Sequence, residues 1–576
     1  MADLIKLIQK AKERAPKVIE HTPPDLRKAK VDFRQEPVTR EITSTLKPYT
    51  GPWTSMEVAH LLRRTMFGVK KADLDYFKTK TLDQTLSELL STSPDPAPPI
   101  NDYNTPELKD PQIPYGETWI NHKWDFNDFN DPDFIKILSL RLFSFKTWWI
   151  KQQMNQGRTI HEKMILFWHN HLVVETQSVF VPILAYNYQN ILRRRALGNF
   201  KDMVRDITVD PAMLIYLNGS ENKRQAPDEN YGRELQELFV IGKGPDSHYT
   251  EEDVKQAARV LTGWTLNIVN QKLVSSFIAF NHDSGDKQFS SFYNNTKIRG
   301  RFSGNGELDD LMSMIFGTQE AARYICRKIY RFFVYPEIDD FTEENIIRPL
   351  ANVFRDNHYE ILPVLKMLFA SEHFFDVMNR SAMIDTPLDM IIGFWRTMDM
   401  SFPQDLSLED LRQYHIAMFY MPLLVGMELG DPPSVSGWPA YYQYPIYDKS
   451  WITNSTITTR AFLTDILMSY GLFRPDEKDP LPIDFLHFVS TLDQPEDPNK
   501  LIDEVSLLFL GYPMSDREKE DYKDILLSGQ QSDYYWTNAW NNYIADPNDQ
   551  VARQVVFTRL QSFFQLLFHL AEFHMM

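Results

Sequence analysis

The stretch Met164-Ile-Leu-Phe-Trp-His-Asn-His-Leu-Val-Val-Glu175 places two histidines inside a strongly apolar run. Its period decides what fold surrounds it. Read as a helix, Met164, Phe167, Trp168, His171 and Glu175 recur along one face. His169 and His171 then stand about 160° apart around the axis and could not share one ion without distortion. Read as a strand, both histidines point to one side and form a His-x-His metal-ligand pair. The recurrence at helical spacing favours the helix. Each histidine is then either a satisfied core side chain or a ligand of a site completed by other segments.

The sequence around this run is also helical in pattern. Thr54 or Ser55 can cap a helix that Gly68 stops, and a second helix is predicted near residues 71–91. Residues 91–117 hold seven prolines and read as a loop. Asp125-Phe-Asn-Asp-Phe-Asn-Asp-Pro-Asp133 is acidic but lacks the glycine and the closing glutamate of a calcium loop. It reads instead as a loop whose last Asp caps a helix near 134–154. Thr250-Glu-Glu-Asp253 opens another helix with a capping box. Residues 265–305 alternate apolar positions among Gly and Asn, which suggests a hairpin or irregular insertion. Helices resume near 307–333, 343–375, 387–400 and 408–428, followed by a Gly/Pro/Trp-rich passage at 430–452 and a mainly helical 457–576. The expected fold is mainly α, a large multi-helix body with a small irregular or β-hairpin insertion. The expected domains are a basic arm at 1–50, a helical core at 51–470 and a C-terminal helical extension at 471–576 packed on it.

Composition bounds the function. The 576 residues are 43% hydrophobic and 13% aromatic, enough for a large core. The net charge is −17. Residues 1–50 hold 11 Lys/Arg against 7 Asp/Glu, leaving 50 against 71 in the remainder. Such a body repels nucleic acid. Arg193-Arg194-Arg195 is the local exception, and a solvated helix end is its simplest reading. The lone cysteine, Cys326, lies in an amphipathic pattern and reads as a buried thiol; thiolate zinc clusters are excluded. No segment reaches the roughly 20 apolar residues of a membrane span. Residues 1–14 read as a basic amphipathic helix rather than a leader. The expected compartment is therefore the cytoplasm, with export beside a leader-bearing partner as the alternative.

Three places carry candidate chemistry. His169 and His171 are the first. The second is Asp228-Glu-Asn-Tyr-Gly-Arg-Glu-Leu-Gln-Glu-Leu-Phe239. Asn230, Glu234 and Glu237 form a stripe beside an apolar face, and Arg233 has Glu229 and Glu237 four residues away on either side. This is either a surface ion-pair lattice or the wall of a pocket. Gly232 inside the helix costs about 1 kcal/mol against Ala, which points to close approach of something. The third is Phe280-Asn-His-Asp-Ser-Gly-Asp-Lys287, where His282 and Asp283 form a polar turn and Lys287 could bind an anion. The common signatures are absent: no Gly-x-Ser-x-Gly elbow, phosphate loop, His-Glu-x-x-His or dinucleotide fingerprint.

A set of motifs resembles the bacterial domain-of-unknown-function 1800 family, its Bacteroidetes-like members in particular, over about residues 55–470. These are Ala59-His-Leu-Leu-Arg-Arg-Thr-Met-Phe-Gly68, Lys163-Met-Ile-Leu-Phe-Trp-His-Asn-His171, Leu192-Arg-Arg-Arg-Ala-Leu-Gly-Asn-Phe200 and Asp210-Pro-Ala-Met-Leu-Ile-Tyr-Leu217. Glu229 to Leu238, Tyr249-Thr-Glu-Glu-Asp-Val254, Ala258-Arg-Val-Leu-Thr-Gly-Trp264 and Asp431-Pro-Pro-Ser-Val-Ser-Gly-Trp-Pro439 complete it. The resemblance implies a mainly helical domain and a sulfatase-like or phosphatase-like companion protein, and it names no activity. Where the family shows Lys-x-Pro-Leu-Glu, this chain has Asp385-Thr-Pro-Leu-Asp389.

Two functions follow as expectations. One is a hydrolase-like protein acting on a carbohydrate or a phosphate or sulfate ester, metal-assisted or by acid/base chemistry. A divalent metal would sit on His169, His171 and Glu234, with Glu234, Glu237, Arg233 and His282 as the catalytic set. The other is a non-catalytic scaffold or escort for the companion, with the polar groups as a packing network.

Overall fold

The computed structural model describes residues 40–125, 131–476 and 478–576. The middle of the acidic run Asp125–Asp133, and residues 1–39 of the basic arm, lie outside them. Helices form the body, and the two sheets among the described residues are two-stranded. One hydrophobic core runs from Val58 to Phe573, so helices of the 471–576 part share it with those before.

The helix His161–His171 lies at the centre, with all its residues buried. Trp168 Nε1 donates to the Ala196 carbonyl at 2.9 Å. Glu162 pairs with Arg193 at 2.5 Å, and Lys163 pairs with Asp389. The basic triplet is therefore split. Arg193 is 1% exposed and ion-paired in the core, which corrects its reading as a solvated end; Arg194 is exposed. Burying a charge is tolerated only when it is paired and hydrogen-bonded, and both lysine and arginine here meet that condition. Against this centre pack Pro182–Arg195 and, beyond it, Pro132–Met154 and Leu408–Leu424.

Capping chemistry set most boundaries. Thr54 and Glu57 close a reciprocal box at the start of Ser55–Thr65, and Thr250 and Asp253 do so for Glu251–Val260. Asp131, not the last Asp of its run, caps Pro132–Met154 by accepting from Asp133 N at 2.9 Å. The insertion is a hairpin, Trp264–Val269 with Lys272–Phe277, turned through Asn270 and Gln271, both with positive φ. A second short ladder pairs Lys287–Gln288 with Lys297–Ile298.

Distant segments close the body. Residues 45–49 lie along 370–373, with Tyr49 N donating to Ala370 O at 2.8 Å. Arg63 donates to the Phe509 carbonyl at 2.6 Å and to that of Met575. Met383 and Met576 exchange backbone hydrogen bonds.

Gly232 is explained by packing. A Cβ there would stand 3.0 Å from Ala258 N and 3.2 Å from Val254 O, so the close neighbour is the backbone of Glu251–Val260. Gly232→Ala gains about 1 kcal/mol of helix propensity but pushes two helices apart at about 1–3 kcal/mol. The expected outcome is a lower thermal midpoint. A raised midpoint would mean that the second helix yields freely.

Candidate functional site

The two opening histidines diverge, as helical geometry requires. His169 is fully buried among Trp149, Tyr188 and Trp438, its ring centroid 5.0 Å from that of Trp149. Neither ring nitrogen has a partner, and burial pulls its pKa down to about 4, so it is a neutral ring in the core. His171 emerges on the other side. Its Nε2–H donates to the Phe239 carbonyl at 2.8 Å, which leaves Nδ1 as the lone-pair nitrogen. Burial, helped by the nearby charge of Lys328, lowers its pKa to about 3. His171 is thus a neutral acceptor at ordinary pH.

Between them Asn170 holds the Asp431–Pro439 turn. Its Oδ1 accepts from Trp438 N at 2.9 Å, and Gly437, at φ +90°, leaves no room for a Cβ beside the Asn170 carbonyl.

The Glu234/Glu237 stripe is rearranged by a change of helix type. Asn230–Glu234 is α-helical, and Leu235–Val240 continues as a π-helix. Such wide turns are rare and often mark functional segments. The wider turn takes Glu237 away from Arg233. Arg233 keeps the expected pair with Glu229 at 3.1 Å but takes Glu251 at 2.6 Å in place of Glu237, both on the surface, while Glu237 pairs with Lys243. Burial and the charge of Glu237 raise the pKa of Glu234, whose Oε2 is buried without a partner.

His282 belongs to a separate network. Its Nε2 bonds Glu307 at 3.0 Å, and Glu307 also takes Lys287 at 2.5 Å, all three side chains fully buried. Lys287 is therefore satisfied internally and is no anion binder. Asp283 accepts from Gly285 N at 2.9 Å, an Asx turn, and pairs with Arg259. The expected set is thus dispersed: His171 and Glu237 come together, Glu234 couples to Glu237, and Arg233, His282 and His169 lie elsewhere. Among the described residues no three His, Cys, Asp or Glu side chains are grouped to hold a metal ion, so His169, His171 and Glu234 do not form a ligand trio.

What His171 and Glu237 share is a cavity of about 390 Å³. Tyr324, Lys328 and Arg331, from the helix Gln319–Phe333, form one wall. Val435 and Ser436 from the turn below Asn170 form another, and Tyr441, Tyr442 and Tyr447 complete it. Lys328 and Arg331 are both half-buried. Among the described residues Lys328 has no ion-pair partner, and it lies 5.3 Å from the Tyr324 ring centroid. Arg331 donates to the Pro336 carbonyl at 3.2 Å and faces the Tyr447 ring at 5.2 Å. Burial, reinforced by Arg331, brings the Lys328 pKa down to about 8. Burial likewise lowers that of Arg331. The Glu237–Lys243 pair is neutral as a unit, so the wall carries two unneutralised cations. A cavity of this kind concentrates anions.

Sequence reasoning missed Lys328 and Arg331, having read their helix only for Cys326, which is indeed buried. A signal existed. Neither cation has an acid three or four residues away, so neither can be settled along its own helix.

Fold and site together define a large, mainly helical protein that keeps a basic, tyrosine-lined cavity inside an acidic body. The chain belongs to the family described as Protein of unknown function (DUF1800), which it matches over residues 60–574. The match runs past residue 470, the end of the resemblance drawn from the motifs, and takes in the C-terminal helices. No curated protein and no solved structure matches the chain. No helix among the described residues is long and apolar enough to cross a membrane.

Proposed function

We propose that the protein binds the anionic group of a phosphate or sulfate ester in the cavity beside His171 and hydrolyses it by acid/base chemistry. The observation that carries this reading is the pair of half-buried cations, Lys328 and Arg331, that face the cavity with no carboxylate partner among the described residues. Arg331 acts as the clamp, its planar fork suited to a tetrahedral anion. Lys328, with a pKa near 8, exchanges its proton near neutrality and suits acid/base work. Glu234, on which burial keeps a proton more readily than on an ordinary carboxylate, supplies the acid proton by way of Glu237, the coupled carboxylate that lines the cavity. His171 accepts a hydrogen bond from the ligand.

The test is isothermal titration with inorganic sulfate and phosphate from pH 6 to pH 10. Only the protonated ammonium attracts an anion, and binding raises its pKa further. Affinity is therefore full below about pH 8 and falls as pH rises through that value and above. Absence of binding at millimolar anion, or a flat pH profile, sinks the reading. Hydrolysis of aryl sulfates and aryl phosphates then tests turnover.

A second reading has its own support. Tyr444 is 79% exposed and Ile446 44%, both beside the cavity residues Tyr442 and Tyr447. Such a rim suits an escort whose partner, a sulfatase-like or phosphatase-like protein, inserts an acidic segment. It predicts that anions bind with no turnover of any ester.

A further inference from the structure

A second, larger concavity of about 530 Å³ lies between the insertion and the start of the helix Gln319–Phe333. Its chemistry differs from that of the basic cavity. Ser313 Oγ donates to the Asp309 carbonyl at 2.8 Å, and Thr318 Oγ1 donates to that of Ile315 at 2.8 Å. Their hydrogens are spent, and each oxygen already accepts one bond, Ser313 Oγ from Lys201 Nζ at 3.1 Å and Thr318 Oγ1 from Ala321 N at 3.3 Å, which leaves one acceptor position on each. Asn294 and Gln319 line it with carboxamides that make no hydrogen bond among the described residues. Arg323 and Asp246 pair across it at 3.2 Å. Glu320 sits in the wall, 3% exposed, with Oε1 on Arg327 and Oε2 without a partner. The half-buried Phe292 ring adds an apolar wall.

Each ligand class can be weighed against these groups. Anions meet the Asp246 carboxylate and the unsatisfied Glu320 oxygen, with the nearby cations already paired. Cations find too few ligands, since no three acidic or imidazole groups gather among the described residues. A neutral, hydroxyl-rich molecule fits. Vicinal hydroxyls both donate and accept, and carboxamides, guanidinium and carboxylate answer them in pairs. The aromatic ring covers the C–H face of a sugar.

The two concavities share one helix. Glu320 and Gln319 serve the groove, and Tyr324, Lys328 and Arg331 serve the cavity. Glu320 and Lys328 are eight residues apart, about 12 Å along the axis. We infer that the groove binds neutral sugar units, and that the protein's ligand is a carbohydrate chain carrying an anionic substituent. The anionic end rests on the reading proposed above; the groove stands on its own residues.

The experiment is isothermal titration of the full chain with three probes: inorganic sulfate, a panel of neutral oligosaccharides of two to six hexose units, and the sulfated forms of that panel. The variants are Asn294→Ala/Gln319→Ala, both at exposed positions, and Lys328→Met. The expected result is a neutral oligosaccharide that binds measurably and a sulfated form that binds more tightly than either part alone. The Asn294/Gln319 variant weakens oligosaccharide binding about tenfold or more and leaves inorganic sulfate unchanged. Lys328→Met does the reverse. Sulfate binding with no binding of any sugar overturns the groove inference and leaves the anion site standing. Sugar binding that the Asn294/Gln319 variant does not weaken also overturns it. Sugar binding without sulfate binding supports the groove and removes the anionic end.

Discussion

Glu307→Ala lowers the stability of the protein by about 3–5 kcal/mol, the cost of leaving a buried charge unpaired. Glu307 takes hydrogen bonds from His282 Nε2 at 3.0 Å, Lys287 Nζ at 2.5 Å and the Arg301 backbone N–H at 2.5 Å. Side chains of the trio are wholly buried, so water cannot replace the lost carboxylate. Burial alone would raise the pKa of Glu307; the hydrogen bonds from His282 and Lys287 overcome it and hold the carboxyl below the ordinary range. The sign follows. A depressed carboxylate contributes its stability above its unfolded pKa and loses it as pH falls through the lower folded value. Thermal midpoints of parent and variant should therefore be far apart at neutral pH and converge in acid. Glu307→Leu combined with Lys287→Met should recover much of the loss, since an apolar pair of similar size needs no compensation. A Glu307→Ala midpoint within a degree of the parent at pH 7 would contradict the network. A large loss makes His282 an anchor of the insertion rather than a catalytic group.

Lys328→Met abolishes anion binding without destabilising the protein. Removing one partner of a desolvated charge contact costs about 2–5 kcal/mol, or roughly 30-fold or more in affinity. Arg331→Met should do the same. Stability separates this from a structural role. An unpaired, half-buried ammonium whose pKa has fallen to about 8 opposes folding below that pH. Replacing it with a methionine should leave the thermal midpoint unchanged or raise it at pH 7, and the gain should vanish towards pH 10.5 as the parent lysine loses its charge in both states. Binding lost together with a fallen midpoint would make Lys328 a packing residue and remove the main support for the site.

How far the sequence could be read depended on whether its signals were local. Period and caps are local, and they placed the starts of Ser55–Thr65 and Glu251–Val260 and the onset of the insertion at Trp264 within a residue or two. The divergence of His169 and His171 was legible for the same reason, being a matter of angle within one helix. The π-turn at Leu235–Val240 was not. Nothing in Leu-Gln-Glu-Leu-Phe-Val announces a wider turn, and with it went the predicted Arg233–Glu237 pair. Glu307 escaped notice because its partners lie 20 and 25 residues away. Lys328 and Arg331 look like any solvated face until the Tyr441–Tyr447 segment is folded over them. The quoted motifs thin out after the Asp431–Pro439 turn, so the C-terminal helices seemed an addendum, although they share the core and the family match.

Arg63 has a temporal consequence. It belongs to the first helix of the described body, yet one of its acceptors is the Met575 carbonyl, 512 positions later. At about 5–20 residues per second, a ribosome supplies that partner about 25 to 100 seconds after Arg63 emerges. Until then the guanidinium lacks that acceptor, and the surface that Phe573 will cover stays open to other chains. Loss of residues 573–576 should therefore be felt at the helix made first.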